Sequence, residues 1–258
     1  MVARSAGRGS AGSRTRRRRV RLRSVSTPLT DLQAAFITAL RGDAGPLPPG
    51  PQTMPRDEVT ATHRRRIIAG MAHALATKGL ARTTIADVVR EAQVSRRTFY
   101  ELFDDKISCL LATYDACWEQ TMAFVEAAVA PADGRTWQER VNAGLCAYLQ
   151  LMGAMPGLAR VFILEMPSSG PEAQSHIRGV HREFAALLTR LAEEQRDTLP
   201  EGVSLDPLVA IGVVGGVNEL VVHALAAGES PDTPLREHTA MRLLLGAMQP
   251  YEALTDGS

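Results

Sequence analysis

The sequence predicts an all-α protein with a basic front and an acidic back. Long stretches rich in Ala, Leu and Val carry apolar residues at helical spacing, and the alternation typical of strands is scarce. Lys and Arg outnumber Asp and Glu by ten to two over residues 1–53 and by ten to seven over 54–106, but are outnumbered nineteen to nine over 107–258. Such a division is expected of a protein that meets nucleic acid with one end only.

Residues 1–55 are predicted to form a disordered basic extension. The segment is rich in Arg, Ser, Gly and Pro, and its arginines concentrate in Arg14–Arg23. Apolar spacing supports only a short possible helix over Asp31–Leu40, so little burial is available to offset the entropy of ordering the rest. The basic run is interpreted as an arm that follows DNA phosphates, as a solvated tail, or as sequence upstream of a working start at Met54. The last two are favoured, because basic low-complexity tracts are common.

Residues 56–106 are predicted to form a three-helix domain. Its first helix covers Thr62–Lys78, with one apolar face and with Gly79 as its C-terminal stop. The stretch Thr84–Phe103 then predicts two short helices joined by a tight turn at Gln93-Val94. This arrangement is typical of a helix–turn–helix.

Each short helix in that stretch has its own start signal. Thr84 followed by Asp87 forms a Thr-x-x-Asp capping box, and Ser95 is an N-cap candidate for the second helix. The first turn and a half of the second helix holds two guanidinium groups, a hydroxyl and a phenol, supplied by Arg96, Arg97, Thr98 and Tyr100. In a helix–turn–helix, this end of the second helix enters the DNA major groove, where such groups reach phosphates and base edges.

Several short motifs follow one another in fixed order between His63 and about Tyr114. They are Arg65-Arg66-Ile67-Ile68, Gly79-Leu80, Thr83 to Val88, Val94 to Tyr100, and Phe103-x-x-Lys106. In their order and spacing they resemble the DNA-binding domain of the TetR family of bacterial transcriptional regulators. Gln93 stands where that family usually has Gly, so a left-handed turn there is expected to carry strain of about 1–2 kcal/mol. Glu101 and Leu102 also depart from the common pattern, at positions more often basic or aromatic.

The resemblance implies a homodimer that binds a roughly palindromic operator in double-stranded DNA. The DNA-binding domain of each copy would place one helix in a half-site, with the two half-sites about 34–36 Å apart or a multiple of that distance. Arg96 and Arg97 are assigned to mixed base and phosphate contact. The phosphate-positioning residues are Thr84, Thr98, Tyr100 and Lys106, with Ser95 also at the DNA-binding surface. The resemblance favours repression that is relieved by a small-molecule effector.

Residues 107–250 are predicted to form a helical regulatory and dimerisation domain, followed by a tail over 251–258. The predicted helices cover Asp104–Val129, Trp137–Met155, Leu158–Met166, Pro171–Thr198, Asp206–Ala227 and Leu235–Met248. The segment from Pro156 to Arg160, with Glu165 after it, resembles a subgroup of these regulators from actinobacteria.

Two sites are predicted in this second domain. A mostly apolar pocket with a few polar groups would be lined by Trp137, Tyr148, Met152, Met155, Phe162, Asn218 and His223. For each of these residues taken singly, ordinary core packing is the favoured explanation. Gly212 and Gly216 are small residues four apart on an apolar helix, a spacing that allows a second helix to approach closely, either within the chain's own core or in a partner. The resemblance implies the partner, in a dimer interface at Gly212, Gly216, Leu220 and Leu244.

No catalytic, metal or cofactor site is predicted. The sequence contains no Gly-x-Ser-x-Gly, His-Glu-x-x-His or Gly-x-Gly-x-x-Gly motif. The three cysteines lack a C-x-x-C spacing and are interpreted as small buried residues of a reducing cytoplasm rather than as a redox sensor. The longest apolar run, Leu208–Val217, is shorter than the roughly 20 residues of a bilayer span, so no membrane contact is expected.

The sequence therefore favours a ligand-responsive, cytoplasmic transcriptional regulator. The alternative is an all-helical small-molecule-binding protein or enzyme whose N-terminal helices do not bind DNA. The basic first turn at Arg96 and Arg97 favours the regulator.

Overall fold

The computed structural model describes residues 29–42, 55–131, 135–194 and 205–247. Within these ranges the chain forms ten α-helices and no strand. The helices are α1 (Leu29–Arg41), α2 (Arg56–Lys78), α3 (Ile85–Ala92), α4 (Arg96–Tyr100), α5 (Lys106–Val129), α6 (Trp137–Ala154), α7 (Pro156–Arg160), α8 (Pro171–Glu193), α9 (Pro207–Ala227) and α10 (Pro234–Ala247). The run Arg14–Arg23 and the tail over 251–258 lie outside the described residues.

Helix α1 lies inside the segment predicted to be a disordered extension. Its Leu32, Phe36 and Leu40 are spaced four apart and are 7%, 6% and 5% exposed, so they form one buried edge. That edge joins a core shared with α2, α5 and α6. The short helix considered possible over Asp31–Leu40 is therefore present, because three buried apolar side chains offset the cost of ordering it.

Helices α2, α3 and α4 form the head of the molecule, and α2 begins earlier than predicted. Pro55 precedes its first turn, where Asp57 and Glu58 suit the positive end of the helix dipole. Helices α2 and α3 approach closely at Gly70, where a Cβ atom would lie 2.9 Å from the backbone nitrogen of Ala92. Only glycine permits this separation.

Helix α5 leads from the head into the body, which consists of α6 to α10. Helix α7 begins at Pro156 and continues as a single π-helical turn, Val161–Glu165, and a 3₁₀ turn, Met166–Ser168. Gly157 lies against the carbonyl oxygen of Ala76 in α2, and a Cβ atom at Gly157 would be 2.1 Å from that oxygen. The body and the head are therefore in backbone contact at this point.

Helix α9 is apolar almost all round. By length and composition it is long enough and apolar enough to cross a membrane, whereas the shorter run Leu208–Val217 had suggested otherwise. Only 39% of its most apolar window is buried within the chain. A core or interface helix of a globular protein satisfies the same criteria.

Candidate DNA-binding surface and ligand cavity

The turn of the helix–turn–helix is made by Gln93, which has a φ of 53°. This left-handed conformation confirms the turn predicted there and places a side chain where glycine is favoured. The guanidinium of Arg66 in α2 donates a hydrogen bond to the Gln93 carbonyl oxygen at 3.0 Å. Arg66 thus anchors the strained turn to α2.

Helix α4 starts at the predicted cap. Ser95 Oγ accepts a hydrogen bond from the backbone N–H of Thr98 at 3.0 Å, and the two hydroxyl oxygens lie 2.8 Å apart. The helix ends at Tyr100 rather than at Phe103. The N–H of Leu102 bonds the carbonyl oxygen of Phe99 only three residues back, which departs from the α-helical pattern. Five residues are enough to place the polar first turn on the surface.

The predicted DNA-contact residues of α4 differ in their exposure and in whether they already have a partner within the chain. Arg96 is exposed and has no hydrogen-bond partner among the residues that the structure describes. Tyr100 is 51% exposed, and its ring packs edge-on against the buried Phe99. Arg97 Nε donates to Glu101 Oε1 at 2.9 Å. Arg96 is therefore unpaired, whereas the Arg97 side chain, although 89% exposed, is held in a surface ion pair that it would have to leave to reach DNA.

Thr84 is held in a dense cap at the start of α3. Its hydroxyl donates to Asp87 Oδ2 at 2.8 Å, and its oxygen accepts from the Asp87 N–H at 3.2 Å, so the predicted capping box is present. Asp87 also accepts from Lys78 Nζ at 2.5 Å and pairs with Arg90 at 3.1 Å. These hydrogen bonds, Lys78 first and Thr84 second, hold the pKa of Asp87 well below its ordinary value.

Lys106 is directed toward the chain rather than toward solvent. Its Nζ donates to the carbonyl oxygens of Leu80 and Thr83 at 3.1 and 3.2 Å, in the loop between α2 and α3. Of its three N–H groups, two are thus engaged in positioning this loop, and one remains for a phosphate.

The body contains a cavity of about 160 Å³ with mostly apolar walls. Five of the seven predicted pocket residues line it: Tyr148, Met152, Met155, Phe162 and Asn218. The other two do not. Trp137 is buried in the packing beside α9 and α10, and His223 is exposed on α9.

The cavity wall has no charged side chain among the residues that the structure describes. Its lining includes no Asp, Glu, Lys or Arg. Burial raises the pKa of Tyr148 to about 12 and lowers that of His181, so both side chains are neutral near pH 7. The polar groups of Tyr148, His181 and Asn218 have no hydrogen-bond partner within the described part of the chain. The cavity thus offers a few unpaired polar groups on an apolar wall.

An apolar face remains exposed on α9 and α10. Leu208 and Ile211 are 77% and 39% exposed, and no atom lies within 4 Å of a Cβ placed on Gly212. On α10, Leu243 and Leu245 are exposed.

Three of the four predicted interface residues face inward instead. Leu244 is 1% exposed within its own core, so it does not present the surface that the predicted partner contact needs, whereas Leu243 and Leu245 beside it are exposed. Gly216 lies beneath Leu243 of the same chain, and Leu220 is half-buried against the same core. Only Gly212 is open.

The head has recognisable relatives. Residues 67–113 match the model of a family described as bacterial regulatory proteins, tetR family. The chain is 29% identical over 172 residues to the HTH-type transcriptional regulator EthR of Mycolicibacterium smegmatis, an alignment that covers 64% of this chain and 75% of the relative. In these residues the chain is similar to TetR-family transcriptional regulators.

Solved structures share the fold of this chain beyond its head. The fatty acid degradation regulator FadR from Bacillus halodurans is similar with a TM-score of 0.61 and 19% identity, over 73% of this chain and 97% of that one. FadR from Bacillus subtilis, solved in complex with stearoyl-CoA, is similar with a TM-score of 0.59 and 19% identity, over 71% and 98% of the two chains. At this identity the likeness shows a common fold, with an N-terminal helix–turn–helix domain and a C-terminal helical domain.

Sequence reasoning missed several residues that the structure brings into the candidate sites. Phe36, His181 and Tyr114 line the cavity, and Glu165 accepts a hydrogen bond from the head. Each lies far along the chain from its partners. The one signal present was the apolar spacing of Leu32, Phe36 and Leu40, which indicated a helix without showing where it packs.

Proposed function

We propose that the regulator binds a palindromic operator as a homodimer and releases it when an uncharged, mainly apolar small molecule fills the body cavity. While bound to the operator in the absence of that molecule, it acts as a repressor in the cytoplasm, the sign favoured by the family that it resembles. The observation that carries this proposal is a free basic helix end in the head together with a cavity whose wall is in contact with the same head.

The DNA-binding part of the proposal rests on α4. Arg96 and Tyr100 project from its first turn and a half into solvent, and Ser95 and Gln93 fix the direction of that turn. We assign base and phosphate contact to Arg96 and Arg97. Thr98 and Tyr100 supply hydroxyls to phosphates, while Ser95, Thr84 and Lys106 act mainly by fixing the backbone that presents them.

The dimer part of the proposal rests on the apolar face of α9 and α10. Exposed leucine and isoleucine side chains at Leu208, Ile211 and Leu243 cost free energy in water, and a second copy related by a two-fold axis would bury them. The open surface at Gly212 allows the two copies of α9 to approach closely. Pairing two heads also doubles a DNA contact that one short helix provides only weakly.

The effector part of the proposal rests on the chemistry of the cavity wall. An ionised ligand group in the cavity would lose its hydration without meeting an opposite charge, which is costly. A hydroxyl or carbonyl group, in contrast, finds the unpaired polar groups of Tyr148, His181 and Asn218. The wall therefore favours a neutral ligand with a long apolar part and one hydrogen-bonding group.

Coupling between the two sites runs through α7 and the π turn after it. Phe162 and Ile163 line the cavity, and Glu165 in the same turn bonds the head at Leu80. A ligand that displaces Phe162 would shift this turn, and with it the head. Such a ligand releases DNA because it stabilises the arrangement whose head spacing does not fit the operator.

The proposal is tested by a gel-shift titration with the DNA upstream of the regulator's own gene. Wild-type protein is expected to bind at low salt and to weaken steeply as salt rises. Arg96→Ala is expected to lose about ten- to one-hundredfold in affinity, the cost of about 1–3 kcal/mol for a specific contact. The control is Arg178→Ala, which removes the same charge from an exposed position on α8. The proposal fails if the wild-type protein does not bind at low salt, or if the two variants weaken binding equally.

A further inference from the structure

Among the residues of α1 whose side chains the structure describes, Phe36 is the one that lines the body cavity. It is 6% exposed, as buried as Leu32 and Leu40 on the same edge of the helix, yet neither of those reaches the cavity wall. Its ring belongs to a helix that precedes the helix–turn–helix domain in the chain. The cavity is thus closed partly by a segment that lies outside both the head and the body.

Helix α1 spans the junction of those two parts. It packs against α2 of the head, against the connecting helix α5, and against α6 of the body. Its C-terminal end lies beside the head as well, where a Cβ atom on Gly42 would be 3.3 Å from the Arg65 guanidinium. The helix therefore forms a strap over the junction, with Phe36 pointing inward.

We propose that Phe36 is a wall of the effector cavity and sets the length of the apolar ligand that the regulator accepts. The proposal rests on the proposed effector function of that cavity. It adds a specificity-determining residue from a part of the chain that the head and body do not include.

The physical basis is the size and stiffness of a buried aromatic ring. A Phe side chain has few rotamers, so a ligand chain cannot easily push it aside in a packed core. Each methylene group that enters an apolar site adds about fourfold in affinity, until the ligand meets a wall. Beyond that length, an added methylene gives no gain or a loss.

The test uses the full-length protein and a series of straight-chain primary alcohols from octanol to hexadecanol, which displace the neutral dye Nile red. For the wild-type protein, the affinity is expected to rise with each added methylene up to one chain length and to rise no further beyond that length. Phe36→Ala is expected to move that limit to alcohols about two or more carbons longer, and Phe36→Trp to move it to shorter ones. If Phe36→Ala does not fold, Phe36→Leu is expected to give a smaller shift in the same direction.

Leu40→Ala is the matched control, because Leu40 lies on the same buried edge but not on the cavity wall. It is expected to lower the melting temperature and leave the length limit unchanged. The inference is overturned if the Phe36 variants keep the wild-type limit, or if Leu40→Ala shifts the limit as Phe36→Ala does. If the wild-type protein binds none of the alcohols, the proposed effector function itself fails. If it binds them but the length limit does not depend on Phe36, only this inference fails.

Discussion

The carboxylate of Glu165 accepts a hydrogen bond from the backbone N–H of Leu80 at 2.7 Å, across the junction between body and head. The carbonyl oxygen of the same residue, Leu80, accepts a hydrogen bond from Lys106 at 3.1 Å. The loop that leads from α2 to the helix–turn–helix is therefore held by the body on one side and by α5 on the other. Two residues of the cavity wall, Phe162 and Ile163, belong to the same π turn as Glu165.

Replacing Glu165 by Ala is expected to weaken both stability and communication between the sites. A hydrogen bond to a charged group contributes about 1.5–3 kcal/mol to stability. The lower end of that range applies here, because Glu165 is only half-buried. The melting temperature should therefore fall by a few degrees. In gel shifts, the alcohol that releases DNA from the wild-type protein should release less from the variant. Glu119→Ala, at an exposed position on α5, should change neither quantity, and equal behaviour of the two variants would exclude this role for Glu165.

Gly157→Ala is expected to destabilise the protein by more than about 1–3 kcal/mol, the usual cost of overpacking. The added Cβ would lie 2.1 Å from the carbonyl oxygen of Ala76, and this neighbour is backbone that cannot turn away. Gly179→Ala is the matched control in α8, where no atom lies within 4 Å of the new Cβ. That substitution should stabilise the protein by up to about 1 kcal/mol through helix propensity. Urea unfolding measures both, and equal midpoints for the two variants would contradict the close contact at Gly157.

Asp87 should make the head sensitive to acid. Its hydrogen bonds with Lys78 and Thr84 lower its pKa in the folded protein, so the unfolded chain binds a proton more readily than the folded one. The stabilisation is therefore complete above the ordinary carboxyl pKa of about 3.9 and is lost progressively as the pH falls below it. Asp87→Asn should lower the urea midpoint at pH 7, and its difference from the wild-type protein should shrink toward pH 3.

The control for this prediction is Asp104→Asn, which neutralises an exposed carboxylate in the same part of the chain. It corrects for the general effect of removing one negative charge. If the urea midpoint of Asp87→Asn lies below that of the wild-type protein by the same amount from pH 7 to pH 3, the charge of Asp87 does not contribute to stability. Only its capping geometry would then matter.

The features that the sequence predicted well depend on residues close together in the chain. The capping box of Thr84 and Asp87, the cap at Ser95 and the strained turn at Gln93 each involve groups within three residues of one another. Local hydrogen bonds of this kind follow from residue type and spacing. The lengths of the helices were predicted less well, as α4 shows, because the end of a helix also depends on how the neighbouring loop packs.

The features that the sequence did not predict depend on distant contacts. Spacing indicated a helix near Asp31–Leu40, but only packing against α2, α5 and α6 makes it part of the core and brings Phe36 to the cavity. In α10, apolar periodicity could not decide whether Leu244 or its neighbours face the core, since a helix that is apolar on several sides has no unique inner face.

Ile211→Glu is expected to convert the proposed dimer to a monomer. Ile211 is 39% exposed on the apolar face of α9, and a pair of carboxylates brought together there by a two-fold axis would repel and lose hydration. Sedimentation velocity should show the smaller species, and the affinity for the full palindrome should fall toward that for a half-site. Ala123→Glu, on an exposed part of α5, should leave the sedimentation coefficient unchanged. A wild-type protein that sediments as a monomer at micromolar concentration would contradict the dimer directly.

The uncharged wall of the cavity predicts which of two matched ligands binds more tightly. Decanol and decanoate share one apolar chain, but decanoate is ionised at pH 7 and would enter a cavity whose described lining has no Lys or Arg. Decanol should bind at least about tenfold more tightly, since even a modest desolvation penalty of about 1.4 kcal/mol gives that ratio. Nile red displacement at pH 7 measures both affinities, and decyltrimethylammonium serves as the cationic control. Both charged compounds should bind more weakly than the alcohol. Tight binding of decanoate alone would instead place a cation at the cavity and exclude a neutral effector.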